Sequence, residues 1–335
     1  MENICVLGAG AMGTALSFHL SKIGHKVNLW GTFLDEEIIK TRRQKKVDLS
    51  IPEEIRVFPF EKVEDALREV KFVIFCISSE GVNYISKHVA PYIKDEMVIV
   101  NVGKGIADAP FLTLCELIES NLERYGGIKK EVVAMGGPAR APEIVRGVFT
   151  EVVFSSIKDE DGKICCEVFQ GKSFKTNFTK DKRGVELCAA IKNGYAISIG
   201  IAEGLQEFCN NFKAALISHA IGEMTKIVQL QGGRLETVTG LAGVGDLYVT
   251  SQAGRNRTFG KFLGEGMSVE EALDKMRGET VEGYSVVDRI KKRILDKLLQ
   301  EKKIKKEDFP LLCALHKILY EGEVAKIIRD ALSDF

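Results

Sequence analysis

Lys192 has the least ordinary setting of any ionisable residue in this sequence, because it lies inside an apolar stripe. Val185, Cys188 and Tyr195 share its face at helical spacing. A buried ammonium without a partner costs several kcal/mol or loses its proton, so the sequence predicts a lysine that is paired or functional. A desolvated lysine of lowered pKa is a good general acid or base. The alternative, a side chain that extends to water, is disfavoured because the surrounding segment has few polar residues.

Asp246 is the predicted partner of that lysine, since it follows glycines at 240, 243 and 245. Such glycines let the backbone approach closely around a fixed side chain, and an ordinary loop is the alternative. Further along, Arg255 and Asn256 offer a guanidinium fork and an amide, which suit a phosphate group. For Arg255 and Arg257, ordinary surface charge is the alternative interpretation.

The pattern Gly8-x-Gly10-x-x-Gly13 is typical of a dinucleotide-binding turn. Gly8 permits the tight turn, Gly10 lets the backbone approach a pyrophosphate, and Gly13 lets the helix pack on the strand. The following helix offers N–H groups and the positive end of its dipole to the phosphates. The pattern follows an apolar run at residues 4–7 and opens a helical segment, which favours a cofactor site over a structural turn.

The second strand ends in Trp30-Gly31-Thr32, and no carboxylate follows before Asp35. An acid at this strand end binds the ribose 2′-hydroxyl of NAD, so its absence removes repulsion against a 2′-phosphate. Thr32 is predicted to donate to that phosphate, with Arg42 or Arg43 in reach. The hypothesis is use of NADPH, or dual use of NAD(P)H. The alternative is that Asp35 folds back and binds the ribose of NAD.

Lys104 lies just past a strong apolar run, in Asn101-Val102-Gly103-Lys104-Gly105. Ligands of open α/β sheets bind at the carboxyl ends of the strands, so Lys104 is predicted to face the cofactor crevice. A lysine in a surface turn is the alternative.

Alternating strands and helices must position these residues in the first half of the chain. Apolar runs predict strands at 4–7, 26–30, 72–77, 97–102 and 132–135. This alternation predicts an α/β fold, a Rossmann-type doubly wound parallel sheet. Helical segments dominate afterwards, at 184–204, 212–230, 286–299 and 311–319. We predict a dinucleotide-binding domain at 1–182 and an all-helical substrate and dimerisation domain at 183–335.

Composition excludes several classes of function. With 335 residues, 45% hydrophobic and 28% charged, the chain has the balance of a two-domain globular protein. Its formal net charge of zero argues against nucleic-acid binding. Neither a membrane span nor a signal peptide is predicted, so the expected location is the cytoplasm. The eight cysteines and five histidines lack metal-ligand spacing, which predicts no metal and buried reduced thiols.

Together these residues resemble the NAD(P)-dependent sn-glycerol-3-phosphate dehydrogenases, over almost the whole chain from Gly8 to about Gly322. Beyond the glycine turn, the resemblance depends on Gly103-Lys104-Gly105, Gly137-Pro138 with Ala141 and Glu143, Ile191-Lys192-Asn193, Gly243-Val244-Gly245-Asp246-Leu247 in a segment that reaches Thr250, Arg255-Asn256-Arg257 with Phe259-Gly260, and Val281-Glu282-Gly283-Tyr284.

The resemblance implies reversible reduction of dihydroxyacetone phosphate to glycerol 3-phosphate. It implies three catalytic residues: Lys192 as proton donor and acceptor, Asp246 to orient it and balance its charge, and Lys104 to polarise the carbonyl or bind the substrate's oxygens. The implied substrate contacts are Lys104, Gly137, Lys192, Asn193, Asp246, Thr250, Arg255 and Asn256. The implied cofactor contacts are Gly8, Gly10, Ala11, Met12, Gly13, Thr32, Lys104, Ala141, Arg255, Val281 and Glu282.

The sequence departs from the family pattern at two places. After Gly-Pro the family usually has Ser or Thr and then an aromatic or aliphatic residue, whereas this chain has Ala139 and Arg140. An aromatic residue often follows the second glycine of the turn, where this chain has Ala11-Met12.

Two other functions stay open: a hydroxy-acid dehydrogenase of the same architecture and a non-catalytic NAD(P)-binding redox sensor. An exposed apolar face on the helical domain would make the assembly a homodimer.

Overall fold

The structure of the protein, a computed structural model, describes residues 1–110, 112–205 and 210–332. The chain divides into two compact units, Met1–Lys182 and Arg183–Phe335. The first is built around a β-sheet, and the regular elements in the described part of the second are all helices.

The strands of the first unit form one large sheet and one short hairpin. They are β1 (Asn3–Leu7), β2 (Lys26–Trp30), β3 (Arg43–Gln44), β4 (Leu49–Ser50), β5 (Arg56–Phe58), β6 (Phe72–Phe75), β7 (Val98–Asn101), β8 (Val132–Gly136), β9 (Thr150–Ser155) and β10 (Phe174–Thr179). The large sheet has the order β10-β9-β8-β7-β6-β1-β2-β5, and β3 pairs only with β4. Neighbouring strands of the large sheet are parallel except β8 and β9, which are antiparallel.

The register of this sheet brings several strand ends to one edge. Leu7 pairs with Trp30 on one side and with Phe75 on the other, and Phe75 pairs with Asn101. The carboxyl ends of β1, β2, β6 and β7 are therefore level. The segments that leave those ends start side by side, and ligands of parallel sheets bind at this edge.

The predicted fold class is confirmed, and the five predicted strands are present as β1, β2, β6, β7 and β8. These strands are apolar and buried almost throughout, as expected for strands covered on both faces. The sequence interpretation missed β5, β9 and β10. Their apolar runs are short, and β10 at the sheet edge keeps intermediate or exposed residues along most of its length.

Helices connect the strands of the first unit. They are α1 (Ala11–Lys22), α2 (Glu36–Thr41), α3 (Val63–Leu67), α4 (Val82–Val89), α5 (Leu114–Gly126), α6 (Ala141–Val145) and α7 (Asp159–Phe169), with 3₁₀ turns at Lys45–Val47, Phe60–Lys62 and Ala90–Tyr92. The start of α5 shows how local sequence sets such a boundary. Thr113 accepts from the Glu116 amide while Glu116 accepts from the Thr113 amide, which satisfies two N–H groups that the helix leaves open.

The second unit consists of helices. They are α8 (Lys182–Gly204), α9 (Asn210–Leu230), α10 (Leu235–Thr239), α11 (Asp246–Gln252), α12 (Arg255–Gly264), α13 (Val269–Lys275), α14 (Glu282–Ile290), α15 (Asp296–Gln300), α16 (Pro310–Tyr320) and α17 (Ile327–Asp330), with π turns at Leu241–Gly245 and Lys291–Leu295 and a 3₁₀ turn at Lys306–Asp308. The helical segments predicted after residue 180 correspond to α8, α9, the α14–α15 run and α16.

Helix α8, with 23 residues, is the longest helix described in this unit. Among the described residues it alone has the length and apolar composition to cross a membrane. Its most apolar stretch is wholly buried in protein, which is the environment of a core helix. A polar side chain on α8 must therefore find its partners within the fold.

Four glycines bring α8 and α12 into close contact. A Cβ atom at Gly200 or Gly204 of α8 would lie 2.0 or 2.1 Å from a carbonyl oxygen of α12. A Cβ atom at Gly260 or Gly264 of α12 would lie 2.1 or 2.2 Å from a carbonyl oxygen of α8. Since any side chain would separate the backbones, the glycines fix the distance between the two helices.

Glu223 ties three helices of the second unit together. This buried residue of α9 accepts from the Tyr195 hydroxyl of α8 at 2.7 Å and from the Leu311 and Leu312 amides at 2.7 and 2.9 Å. The two amides belong to the first turn of α16, which has no side-chain cap of its own. Burial raises the pKa of Glu223 to about 7, against the hydrogen bonds that lower it.

Seven cysteines of the described residues are free thiols: Cys5, Cys76, Cys115, Cys165, Cys166, Cys188 and Cys313. Four of them are buried, and burial raises the pKa of the Cys5 and Cys165 thiols. Cys209 lies outside the described residues. Within the same ranges, no group of three or more His, Cys, Asp or Glu residues could hold a metal ion.

Candidate functional site

The glycine turn between β1 and α1 has the geometry of a pyrophosphate cradle. Gly8 has φ +99°, and a Cβ atom there would lie 2.8 Å from the Cys76 carbonyl oxygen. A Cβ atom at Gly13 would lie 1.9 Å from the Gly8 carbonyl oxygen, whereas nothing lies within 4 Å of one at Gly10. Helix α1 begins with Ala11-Met12 and has no side-chain cap. The turn therefore leaves room for a ligand at Gly10 and offers it a helix N-terminus.

Asp35 folds back onto this turn. Its Oδ2 accepts from the Ala9 amide at 3.1 Å, and from the amide and hydroxyl of Thr32 at 2.8 Å each. Ala9 is also held through its carbonyl oxygen, to which Gln44 Nε2 donates at 2.8 Å. The Thr32 hydroxyl, predicted to donate to a 2′-phosphate, donates to Asp35 in this structure. The fold-back that the sequence left as an alternative is present.

The two arginines predicted to reach a 2′-phosphate have other partners. Arg42 Nη2 donates to the carbonyl oxygens of Pro52 and Ile55, at 2.6 and 2.9 Å. Arg43 pairs with Asp48 and donates to the Ser50 hydroxyl. Both guanidinium groups thus hold the β3–β4 hairpin and its neighbouring loop together.

Lys104 and Gly137, both predicted site residues, lie together. The Asn101 side chain closes the turn after β7 by accepting from the Gly103 amide at 3.0 Å. Lys104 then extends its Nζ to within 3.3 Å of the Gly137 carbonyl oxygen. Because β7 and β8 are parallel, their following segments leave the sheet side by side, which brings the two residues into contact.

The departures at 139 and 140 lie just before and at the N-cap of α6. Ala139 is partly buried against the core of the first unit. Arg140 pairs with Glu143 at 2.8 Å, so its charge is balanced locally. Ala141, a predicted cofactor contact, is the first residue of α6 and is buried.

Lys192 is buried in the second unit, beside Asp246 and Thr250. The residue is 4% exposed. Its Nζ donates to Asp246 Oδ1 at 2.9 Å and to Thr250 Oγ1 at 2.5 Å. Asp246 is 1% exposed. The carboxylate neutralises an ammonium that could not stay charged and alone in such a place. The predicted contact between Lys192 and Asp246 is therefore present.

A π turn places Asp246 at the start of α11. The turn covers Leu241–Gly245, and Asp246 follows it directly. A Cβ atom at Gly243 would lie 1.9 Å from the Val238 carbonyl oxygen, so only glycine fits. Single π turns inside helices are often found at functional sites, since the extra residue redirects the side chains that follow.

Hydrogen bonds of the Asn193 and Asn256 side chains connect α8, α12 and α14 next to Lys192. Asn256 Nδ2 donates to Asn193 Oδ1 at 3.1 Å, and the Gly283 amide donates to Asn256 Oδ1 at 2.9 Å. Asn193 Nδ2 donates in turn to Glu282 Oε2 at 3.4 Å. Three predicted site residues, one on each helix, are thereby brought together, and both amides have a fixed orientation.

The remaining predicted residues of this unit differ in how firmly they are held. Arg255 begins α12, its side chain is 48% exposed, and its guanidinium lies 3.9 Å from Glu279. Arg257 forms a closer pair with Glu203 at 2.5 Å. Val281 is the buried N-cap of α14. Of the two arginines, Arg255 has the more exposed side chain and the looser ion pair.

Sequence interpretation did not find Gln44 or the contact of α8 with α12. The glycines of that contact repeat at a spacing of four in both helices, a signal that the sequence does contain. Gln44 had no such signal, because it comes close to Ala9 only through the β3–β4 hairpin.

Comparison with known proteins shows which family has this arrangement. Residues 3–162 match the family model of the NAD-dependent glycerol-3-phosphate dehydrogenase N-terminus, and residues 181–329 match that of its C-terminus. The chain belongs to this family. It is 33% identical to the NADP(+)-dependent glycerol-3-phosphate dehydrogenase of Archaeoglobus fulgidus, over 99% of each chain. It is 34% identical to glycerol-3-phosphate dehydrogenase [NAD(P)+] of Thermoanaerobacter sp., over 96% of this chain and 93% of the relative.

A solved glycerol-3-phosphate dehydrogenase has the same fold. The crystal structure of the Coxiella burnetii protein matches with a TM-score of 0.85 at 31% identity, covering 99% of this chain and 98% of that one. The likeness includes the parallel sheet and the helical unit alike. The resemblance inferred from the motifs is thereby confirmed.

Proposed function

We propose that this chain interconverts dihydroxyacetone phosphate and sn-glycerol 3-phosphate with NAD(P)(H), with Lys192 as general acid and base. The observation that carries the proposal is the buried cluster of Lys192, Asp246 and Thr250. Burying an ammonium almost completely costs free energy even when it is paired, and a helix with only a structural role does not need such a group. The names of the relatives, which are NAD(P)-dependent glycerol-3-phosphate dehydrogenases, support the same substrate pair.

The first unit binds the dinucleotide in this proposal. Its pyrophosphate rests on the glycine turn, against Gly10 and the first turn of α1, where the structure leaves space. When bound, the reduced nicotinamide supplies the hydride for the ketone. The other cofactor contacts carried over from the family are Thr32, Lys104, Ala141, Arg255, Val281 and Glu282.

Lys192 then gives its proton to the C2 oxygen of the substrate as negative charge develops there. Asp246, 2.9 Å from the ammonium, orients Nζ and balances its charge in the resting state. The Thr250 hydroxyl fixes a second direction of the same ammonium. Because these groups are in place before the reaction, they need no reorganisation during it. In the oxidising direction Lys192 accepts the proton of the C2 hydroxyl. The family resemblance assigns Lys104, which lies beside Gly137, to polarising the carbonyl or binding the substrate's oxygens.

The substrate phosphate binds Arg255 and Asn256. Arg255 is half exposed and presents a planar guanidinium fork, which matches phosphate geometry. Asn256 uses its oxygen and one amide hydrogen inside the unit, and no second donation is found in the part of the chain that the structure describes. That second amide hydrogen is the one assigned to phosphate. Asn193 orients Asn256 and lies beside Lys192 in the sequence, which connects phosphate binding to the acid–base group.

The test is the initial rate of NADH oxidation, and separately of NADPH oxidation, with dihydroxyacetone phosphate or unphosphorylated dihydroxyacetone. Fast oxidation that requires the phosphate supports the proposal. Turnover of 2-hydroxy or 3-hydroxy acids in its place would identify a hydroxy-acid dehydrogenase. Cofactor binding without turnover of any of these substrates would leave a redox sensor.

We also propose that the enzyme is a cytoplasmic homodimer formed through its helical unit. The support is an exposed set of apolar side chains there: Leu230, Leu235, Tyr248 and Val324. The free thiols of the described cysteines fit a reducing compartment. Sedimentation equilibrium tests the assembly: a dimer mass supports it, and a monomer mass at micromolar concentration contradicts it.

A further inference from the structure

We infer that Asp35 sets the cofactor preference, because its carboxylate accepts the ribose 2′-hydroxyl of NAD(H) and repels the 2′-phosphate of NADP(H). The inference rests on the proposed dinucleotide site at the glycine turn. It does not depend on which substrate is reduced. It concerns a residue outside the cofactor contacts that the family resemblance supplied.

The position of Asp35 is the first argument. Its Oδ2 is bonded to the amide of Ala9, which lies between Gly8 and Gly10 of the glycine turn. It is also bonded to the amide of Thr32, just past the end of β2. The carboxylate therefore bridges the two segments between which a Rossmann fold holds the adenosine ribose. An acid at the strand end normally fills this place. Here the chain returns from three residues further on to fill it.

The unequal use of the two carboxylate oxygens is the second argument. Oδ2 accepts all three hydrogen bonds of the side chain, whereas Oδ1 accepts none from any residue that the structure describes. The residue is 8% exposed, yet Oδ1 is not fully enclosed, so a ligand can reach this oxygen. A ribose hydroxyl would supply the missing donor. Because Oδ1 of Asp35 can still accept a hydrogen bond, the site favours a ligand that places a hydroxyl group beside this oxygen.

The charge around Asp35 is the third argument. Within the described ranges, Asp35 forms no ion pair, and its partners are two amides and a hydroxyl. Arg42 and Arg43, the nearest arginines in sequence, hold other groups. A 2′-phosphate would bring nearly two further negative charges to an uncompensated carboxylate. The Thr32 hydroxyl, which otherwise could receive that phosphate, already donates to Asp35.

The experiment measures dissociation constants for NADH and NADPH by fluorescence titration of the enzyme without substrate. We expect the wild type to bind NADH at least about ten-fold more tightly than NADPH at low salt. Asp35→Asn should reduce that ratio at least about ten-fold, mainly through tighter NADPH binding, since it removes the charge and keeps an acceptor. The same ratio should fall as ionic strength rises.

Two variants serve as controls. Glu36→Gln removes the same charge from the adjacent, exposed residue, and the ratio should stay within about two-fold of the wild type, because an exposed charge is screened. Thr32→Val removes the hydroxyl and leaves the carboxylate. If Thr32→Val weakens NADPH binding specifically, Thr32 holds the phosphate and the inference is overturned.

The wild type alone decides the matter if Asp35→Asn does not fold. The probes are then 5′-AMP and adenosine 2′,5′-bisphosphate, which carry the adenosine ribose without the nicotinamide. Tighter binding of 5′-AMP supports the inference, and equal or tighter binding of the bisphosphate overturns it. These measurements use no turnover. Failure to reduce dihydroxyacetone phosphate would therefore refute the proposed reaction without changing the outcome for Asp35.

Discussion

Replacing Lys192 by Met separates its role in the reaction from its role in the fold. The substitution keeps an unbranched side chain of similar length and removes the ammonium. Asp246, 1% exposed and 2.9 Å from that ammonium, then loses its countercharge. The double variant Lys192→Met with Asp246→Asn removes both charges together. Comparing the two variants separates the loss caused by the missing proton donor from the loss caused by removing the ion-pair partner of Asp246.

The size of each effect follows from the burial of the pair. Breaking a buried ion pair from one side costs about 3–5 kcal/mol, because the other charge stays desolvated. For a unit of this size that corresponds to a fall in Tm of roughly 6–20 °C. Loss of a general acid lowers kcat by roughly 10²–10⁴-fold. We therefore expect the single variant to lose both stability and rate, and the double variant to regain most of the stability and none of the rate.

The assay combines three measurements on each variant: Tm by calorimetry, kcat with saturating dihydroxyacetone phosphate, and NADH affinity by fluorescence. NADH affinity should stay within a few-fold of the wild type. Lys297→Met, at an exposed position of α15, is the matched control and should change none of the three. A double variant that recovers kcat along with Tm would refute the acid–base role, as would a single variant whose kcat stays within a few-fold.

Three further predictions concern other parts of the molecule. Arg255→Ala should raise the KM for dihydroxyacetone phosphate by roughly 10–100-fold with a smaller change in kcat, because a charged hydrogen bond to phosphate is lost. Arg257→Ala breaks the pair with Glu203 and should leave this KM unchanged. Equal effects of the two substitutions on KM would contradict the assignment of Arg255. Gly10→Val should abolish NADH binding with little change in Tm, since nothing lies within 4 Å of a Cβ atom there. Gly13→Val should lower Tm as well, because its Cβ atom would lie 1.9 Å from a carbonyl oxygen. Retained NADH affinity in Gly10→Val would contradict pyrophosphate binding at the glycine turn. Burial raises the pKa of Glu223 to about 7, so the folded state holds this proton more tightly than the unfolded chain, and the contribution of Glu223 to stability is lost as pH rises from about 4.5 through 7; Glu223→Gln should flatten that dependence in urea unfolding at pH 5 and pH 8, and an unchanged slope would contradict it.

Local periodicity was enough to predict the setting of Lys192. Helical spacing puts one residue on a face with its neighbours three and four positions away, and an apolar face is buried wherever the helix packs. The partner Asp246 could be predicted because glycines before a lone acid imply a tightly packed backbone. The strands β1, β2, β6, β7 and β8 were visible for a similar reason, since each is a continuous apolar run.

Most contacts between distant segments were beyond such reasoning, and the pair of Lys192 and Asp246 is an exception. The fold-back of Asp35 was only an alternative, and its bond to Ala9 across 26 positions leaves no periodic signal. The bond of Gln44 to Ala9 across 35 positions leaves none either. The amide contacts of Asn193 and Asn256 likewise depend on how closely α8 and α12 pack. Each Asn or Asp side chain can form hydrogen bonds with several different partners, so only the packed fold selects one of them. Residue types at the site could be predicted, whereas their orientation could not.

The glycines of α8 and α12 connect these two levels. Without side chains at positions 200, 204, 260 and 264, the helices lie close enough for Asn256 to meet Asn193 directly. The most apolar stretch of α8, which includes Lys192, is wholly buried in protein, so the ammonium of Lys192 needs a carboxylate beside it to remain charged. The packing that buries this lysine is thus also the packing that orients Asn256, whose side-chain amide we propose as a phosphate contact. A larger residue at Gly260 should therefore weaken substrate binding and loosen the Lys192–Asp246 pair together, although Gly260 itself belongs to neither.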